Sequence, residues 1–395
     1  MMTASSPFWR AGFRPFFTTG ALYALTVLSL WILILAGVID YETHIVPSLI
    51  HGHEMIYGFG VAAIAGFILT AMPNWTNTEP LSGKPLIALF GLWLFGRLSL
   101  WAGTFLPYSL LATVDLLFLP VLSIYTARIL IRTGNKRNLM LPGIFIILAI
   151  FNLCFYLAET GIAPHSSRVI LEAAISLLLL LITIIGGRIV PAFTRNALAA
   201  KGLKVDIGAP GKLSILCILG TAVMMAGDLL IADNWPEPFA YFCALLAGLH
   251  LARLYFWKGW MTFSDPLLWA MHAAYLWIPI GLILKAYGFV TYGYFWEGAL
   301  HALTAGAIGT MILVVTIRAG LGHTGSILRT NPYLTAALWI ITFSAIFRVL
   351  QSFIENDFSE QLLYLSSAFW VLAFGLYLVN FLPLMTRPRL DGKPG

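Results

Sequence analysis

Charged residues are scarce. Asp, Glu, Lys and Arg make up 10% of the chain, where a soluble domain carries roughly 25%, so there is too little charge to cover a water-facing surface at this length. Cysteine is scarcer still. Cys154, Cys217 and Cys243 stand in apolar stretches without CxxC spacing, which excludes a secreted disulfide scaffold and leaves them as small packing residues. A clustered basic segment is also missing. The net charge is +6, but the basic residues mark short loops between apolar runs, a pattern that excludes nucleic-acid binding. No cleavable signal peptide is apparent: the first apolar run, 16–38, is longer than an h-region of roughly 7–15 residues and is expected to stay as a helix.

What is present is apolar surface, with 59% of residues hydrophobic. A protein that needs apolar residues outside as well as inside faces lipid. Spanning takes about 20 apolar residues, and runs near that length recur at 16–38, 52–72, 85–105, 109–131, 140–159, 167–190, 213–232, 239–257, 266–286, 294–317, 333–353 and 361–384. The connections are short and rich in Pro, Gly or Asn, such as Pro73-Asn74 and Asn234-Trp235-Pro236, and leave no room for a soluble domain. The expected architecture is all-α, a polytopic membrane bundle of about twelve transmembrane helices forming a single transmembrane domain over 1–395.

Charge asymmetry orients it. The N-terminal segment holds Arg10 and Arg14. The even-numbered connections hold Lys84; Arg128, Arg132, Lys136 and Arg137; Arg188, Arg195, Lys201, Lys204 and Lys212; Arg253 and Lys258; Arg318 and Arg329. The tail adds Arg387, Arg389 and Lys393, which brings the sum to 19 of the 23 basic residues. The odd connections hold acids: Asp40, Glu42, Glu159, Asp233, Glu237, Glu355, Asp357 and Glu360. By the positive-inside rule both termini are cytoplasmic. Missing one helix would have broken the alternation.

Ionisable groups at membrane depth need a partner, a cavity or a job. Arg97, Asp115, Glu172, Asp228 and Arg348 fall in the outer halves of spans, either as interhelical ion pairs or around a water-filled vestibule. His51 and His53 open the second span, and His250, His272 and His301 lie in spans eight, nine and ten. His323 follows span ten. Several histidines in one bundle suit metal or haem, because imidazole binds copper and iron alike. On a regular helix His51 and His53 point about 200° apart, so either the helix starts after Gly52 or the two serve different partners. His51 and Met55 are i,i+4 neighbours, a candidate copper pair. His301 lies roughly 8 Å outside the midplane and His272 roughly 8 Å inside it. Axial haem ligands share a depth, which allows His301 with His51 or His53, rejects His301 with His272, and leaves His272 with His250 as a weaker pair. Spans two and ten are rich in Gly and Ala, which serves close helix packing or a slot for a flat macrocycle.

Several motifs resemble the NnrS family of bacterial membrane proteins. They are Phe13-Arg14-Pro15-Phe16-Phe17, the His51–Met55 block, Pro73-Asn74-Trp75-Thr76, Pro80-Leu81-Ser82-Gly83, Gly186-Gly187-Arg188-Ile189-Val190-Pro191, the 266–281 span with His272, His301-Ala302-Leu303-Thr304 through Ile308-Gly309-Thr310-Met311, and Arg318 to Gly325. The resemblance runs nearly end to end. It implies a protein of the bacterial cytoplasmic membrane containing haem b and copper, linked to nitric oxide metabolism and resistance to nitrosative stress. By the same pattern His51, His53, Glu54, His272, His301 and His323 are functional positions; Met55 joins them as a metal donor only through its spacing from His51. Arg14, Asn74, Arg188 and His323 gather at the cytoplasmic face, where Arg and Asn hold haem propionates or another anion, or anchor loops to headgroups.

The favoured expectation is a haem–copper membrane protein that binds nitric oxide or acts on it as an oxidoreductase. Without a soluble redox domain, its electrons come from quinol or a separate donor. A respiratory haem–copper core is disfavoured, because there is no adjacent His-His pair and no His-Pro-Glu run. A secondary transporter fits the twelve spans and buried charges, but no half-to-half repeat is evident and transport does not explain the histidines.

Overall fold

A computed structural model describes residues 5–231, 234–291, 293 and 295–392; Asp233 and Lys393 of the charge pattern lie outside them. The chain is 78% helix. Among the described residues there is no strand, and twelve helices are long and apolar enough to cross a membrane. They are α1 Phe13–Leu35, α2 Pro47–Thr76, α3 Gly83–Trp101, α4 Tyr108–Arg132, α5 Met140–Glu159, α6 Ser167–Ala200, α7 Gly211–Leu230, α8 Pro236–Tyr255, α9 Pro266–Val290, α10 Trp296–His323, α11 Pro332–Gln351 and α12 Phe358–Thr386. This is a multi-pass membrane protein.

Helix starts follow local chemistry. Pro47, Pro236, Pro266 and Pro332 open α2, α8, α9 and α11, where a missing N–H costs nothing and φ is already helical. Asp265 and Asn331 accept hydrogen bonds from Leu267 N (3.0 Å) and Leu334 N (2.9 Å), capping α9 and α11.

Several boundaries differ from the pattern reading. Pro73-Asn74 is not a connection but lies inside α2, which runs on to Thr76 and ends with Asn77 in the left-handed region. α6 continues through Gly186-Gly187 and Pro191 to Ala200, so Arg188 and Arg195 are helical. α10 ends at His323 rather than before it. Arg253, inside the predicted span 239–257 though counted with the cytoplasmic connection, belongs to α8 and is buried. In α2, α6 and α10 a Pro or a charge marks the predicted end. Inside a membrane protein, neighbouring groups re-satisfy the freed backbone and such residues are tolerated mid-helix.

The chain divides into two compact units. The first holds residues up to Leu171, Thr316–Leu328, and the segment from Phe374 onward; the second holds Glu172–Val315 and Arg329–Ala373. In the first, α1 packs on α2 through small residues: a Cβ at Gly20 would lie 3.2 Å from that of Ala62, and one at Gly66 only 2.7 Å from the Phe17 ring. In the second, α10 meets α9 where a Cβ at Gly306 would sit 2.5 Å from the Trp277 ring, and meets α12 where one at Gly309 would sit 2.6 Å from the Trp370 ring. The small residues of spans two and ten thus receive side chains of neighbouring helices, the close packing that glycine permits.

Candidate functional site

His51 and His53 both lie on α2, whose first turn starts at Pro47, and they serve different partners. His51 is half-buried, with its ring stacked on Trp31 at 5.1 Å and 16°. His53 is wholly buried. Its Nε2 meets Asn152 Oδ1 and its Nδ1 meets Glu54 Oε1, both at 2.8 Å. Asn152 donates Nδ2–H to Asp115 Oδ2 (2.8 Å), which turns its carbonyl toward His53, so His53 Nε2 carries a hydrogen. The Nδ1–Oε1 contact holds one further proton.

Around this pair lies an ionic cluster. The Arg97 guanidinium reaches both the Glu54 and the Asp115 carboxylates. Tyr23 donates to Glu54 and accepts from Trp101 Nε1 (2.8 Å), and Tyr156 donates to Asp115 (3.0 Å). Gly96 makes room for it, since a Cβ there would stand 2.9 Å from Asp115 Oδ1. Two carboxylates, one guanidinium and the shared proton sum to zero charge, which is what tolerates burial. The ion pairing expected for Arg97 and Asp115 is present, with Glu54 and His53 as members that the sequence did not connect to it.

From Glu54 to Gly60 the backbone of α2 is π-helical, and the same form recurs in α10 from Ala302 to Gly309. Each segment begins directly after a motif histidine, His53 and His301. π-helical turns are rare and gather at functional sites. Met55 lies in the first of them, half-buried, so the regular-helix spacing assumed for His51 and Met55 does not hold there.

In the second unit, the His301 side chain is 19% exposed. Its Nδ1 donates to the Glu297 carbonyl at 2.8 Å, a bond that leaves the lone pair on Nε2. His272 does the same toward Leu268 O (2.9 Å), while its Nε2 stands 3.5 Å from Thr194 Oγ1. Its ring fits against Gly259, where a Cβ would come within 2.6 Å. His250 is fully engaged: Tyr275 donates its hydroxyl hydrogen to Nδ1 (2.8 Å), and Nε2 faces Thr221 Oγ1 (3.2 Å). Between His250 and His272 stand Tyr275 and Trp257, whose rings lie 4.4 Å apart.

The residues read as cytoplasmic anchors do separate things. Arg14 is buried, and its Nη1 donates to the carbonyls of Leu384 (3.2 Å), Met385 (2.8 Å) and Arg387 (2.8 Å), closing the end of α12. His323 lies 5.6 Å from the Phe13 ring, and its carbonyl accepts Arg389 Nη1 (2.9 Å). The Arg389–Asp391 hydrogen bond raises the guanidinium pKa above its ordinary value. Asn74 and Arg188 are exposed.

Lys285 was missed altogether. It is buried in α9, 2.6 Å from Asp228, whose other oxygen accepts Ser176 Oγ–H (2.8 Å); its place in an apolar run was the available signal. Glu172 accepts Trp296 Nε1–H (2.9 Å), and Arg348 donates to Gln351.

The donor set bears on what the site could hold. Among the described residues no three His, Cys, Asp or Glu side chains converge as a metal cage. Haem asks less of the protein, because its macrocycle supplies four donors and one imidazole completes an axial position. His301, partly accessible and set in the Nε2-ligating tautomer, fits that role.

No curated protein matches the chain significantly. The family described as NnrS protein matches residues 7–389, a stretch that takes in both π-helical segments, all the motif histidines and the Arg14 closure. The chain therefore belongs to the NnrS family.

Proposed function

We propose that this protein binds haem b through His301 and uses it to bind nitric oxide or act on it. On this reading it sits in the bacterial cytoplasmic membrane with both termini cytoplasmic and contributes to resistance to nitrosative stress. The observation that carries the reading is His301. It opens a π-helical segment, spends Nδ1 on the Glu297 carbonyl and presents Nε2 as the basic nitrogen. Haem held there would supply an iron centre able to coordinate nitric oxide. The chain orients the imidazole and, through the apolar helices around it, limits water. Family membership supports the link to nitric oxide. His51, stacked on Trp31, is the second candidate donor, whereas His53 already holds Glu54 and Asn152. Electrons, where the reaction needs them, come from quinol or a separate donor.

The test is a reduced-minus-oxidised spectrum of the detergent-purified protein with metal analysis and a nitric oxide titration. A b-type spectrum that shifts with nitric oxide and is lost in His301→Ala, but kept in His250→Ala, is expected. Protein expressed with ample haem and copper yet colourless would overturn the reading and favour transport of a small solute.

A further inference from the structure

Among the buried charges, Glu54, Asp115 and Arg97 compensate one another, and Lys285 faces Asp228. Arg14 rests on the carbonyl end of a helix, where the dipole is negative. Arg253 has neither kind of support. It is 2% exposed, and its polar partners among the described residues are neutral. Nη1 donates to Thr183 O (2.8 Å) and to the Tyr275 hydroxyl (3.0 Å). The guanidinium carbon lies 5.3 Å from the Trp257 ring centroid and 5.9 Å from that of Tyr275. Among the described residues nothing hydrogen-bonds its buried Nε. A cation stripped of water without a counter-ion is among the costliest arrangements in a protein interior.

Which edge is left over matters. Nε–H and Nη2–H point the same way from the guanidinium and form the fork that grips two oxygens side-on. Both of the hydrogen bonds that Arg253 makes to described residues leave from Nη1. Nη2 lies over Gly187, where any Cβ would collide with the guanidinium. The Gly186-Gly187 pair thus lets Arg253 settle on α6 inside a helix that would otherwise exclude it. The geometry points to a buried binding site for a planar monoanion with two oxygens, a carboxylate or nitrite, held side-on by Arg253. The anion has two possible sources: free nitrite, or the carboxylate of a bound cofactor such as a haem propionate. The second source rests on the haem reading above, and the first does not.

Thermal melting and tryptophan fluorescence of the full-length protein, haem-free and haem-loaded, test the site with nitrite as probe and chloride at matched ionic strength as control. If free nitrite is the ligand, haem-free and haem-loaded protein both show a saturable rise in melting temperature with nitrite but not chloride, accompanied by a change in Trp257 emission. If a cofactor carboxylate is the ligand, the nitrite response appears only without haem, and haem raises the melting temperature more than its dimethyl ester does. In either case Arg253→Gln abolishes the response. Arg253→Lys, which keeps the charge and loses the fork, weakens it by about tenfold or more, the loss of one charge-assisted hydrogen bond. Should Arg253→Gln not fold, Gly187→Ala, which displaces the guanidinium, serves in its place. Equal responses to nitrite and chloride, or a nitrite response unchanged in these variants, would overturn the site, as would variants that melt lower with no change in the nitrite and haem arms. Colourless protein that still binds nitrite through Arg253 would sink the haem reading and leave the anion site standing.

Discussion

Arg97→Met separates charge from packing in the buried cluster of the first unit. Methionine keeps most of the aliphatic stem but removes the cation that both Glu54 and Asp115 face. Asp115 would retain Asn152 and Tyr156, and Glu54 would retain Tyr23 and His53, so hydrogen bonding survives while one net negative charge is stranded. Removing one partner of a buried ion pair costs about 3–5 kcal/mol, and that is the expected loss. The triple variant Glu54→Gln, Arg97→Met, Asp115→Asn strands no charge and should recover all but about 1–2 kcal/mol, since neutral replacement of a buried ionic group is often tolerated. Equilibrium unfolding of the full-length protein in mixed SDS–detergent micelles, followed by circular dichroism, reads both numbers. A single variant within about 1 kcal/mol of wild type would match an exposed pair and refute the buried cluster. A triple variant worse than the single would refute the view that charge, rather than shape, is the cost.

Asp228→Asn and Lys285→Met should each destabilise by about 3–5 kcal/mol, and the double variant by less than either, as read by the same unfolding assay. Gly58→Ala drives a Cβ into the Tyr23 ring and should cost about 1–3 kcal/mol; in a Tyr23→Ala background the cost should fall below half, a coupling that a double-mutant cycle measures. Tyr275→Phe leaves His250 Nδ1 and Arg253 Nη1 each short of a partner and should lower stability by about 1–3 kcal/mol, measured by thermal melting. Single cysteines at Lys136 and Glu355, tested in a background with the three native cysteines replaced, should react with impermeant maleimides from opposite sides of inverted vesicles, Lys136 from the cytoplasmic one. Same-side labelling would break the alternation that orients the bundle.

The twelve spans were legible because hydropathy alone specifies them: lipid demands an apolar run wherever a helix crosses. Their ends were less legible at Pro73 and Pro191, where a residue that stops helices in water sits inside one here. Arg253 was read as a loop charge because it lies close before Lys258, and its burial depends on Gly187, which is distant in sequence. His53 looked like a free donor because its neighbour Glu54 was visible and its other partners were not; Asn152 is 99 residues away. The π-helical turns leave no mark in composition or periodicity that a 3.6-residue pattern could detect. What the sequence did supply was the list of motif histidines. Which nitrogen each one presents is decided by a carbonyl four residues back in His272 and His301 and by side chains from other helices in His53 and His250.

The Arg14 closure also constrains biosynthesis. This guanidinium emerges with α1, yet its acceptor Met385 O is 371 residues downstream. At about 5–20 residues per second, roughly 20 to 75 seconds pass before that acceptor leaves the ribosome. During that interval the first helix carries a charge whose carbonyl partners do not yet exist, so the nascent chain must keep Arg14 at the headgroups or within the insertion machinery. α12, made long after α1, is then the helix that seats it. A chain stopped short of Leu384 would carry an exposed cation for membrane proteases to recognise, while one that includes the end of α12 would conceal it.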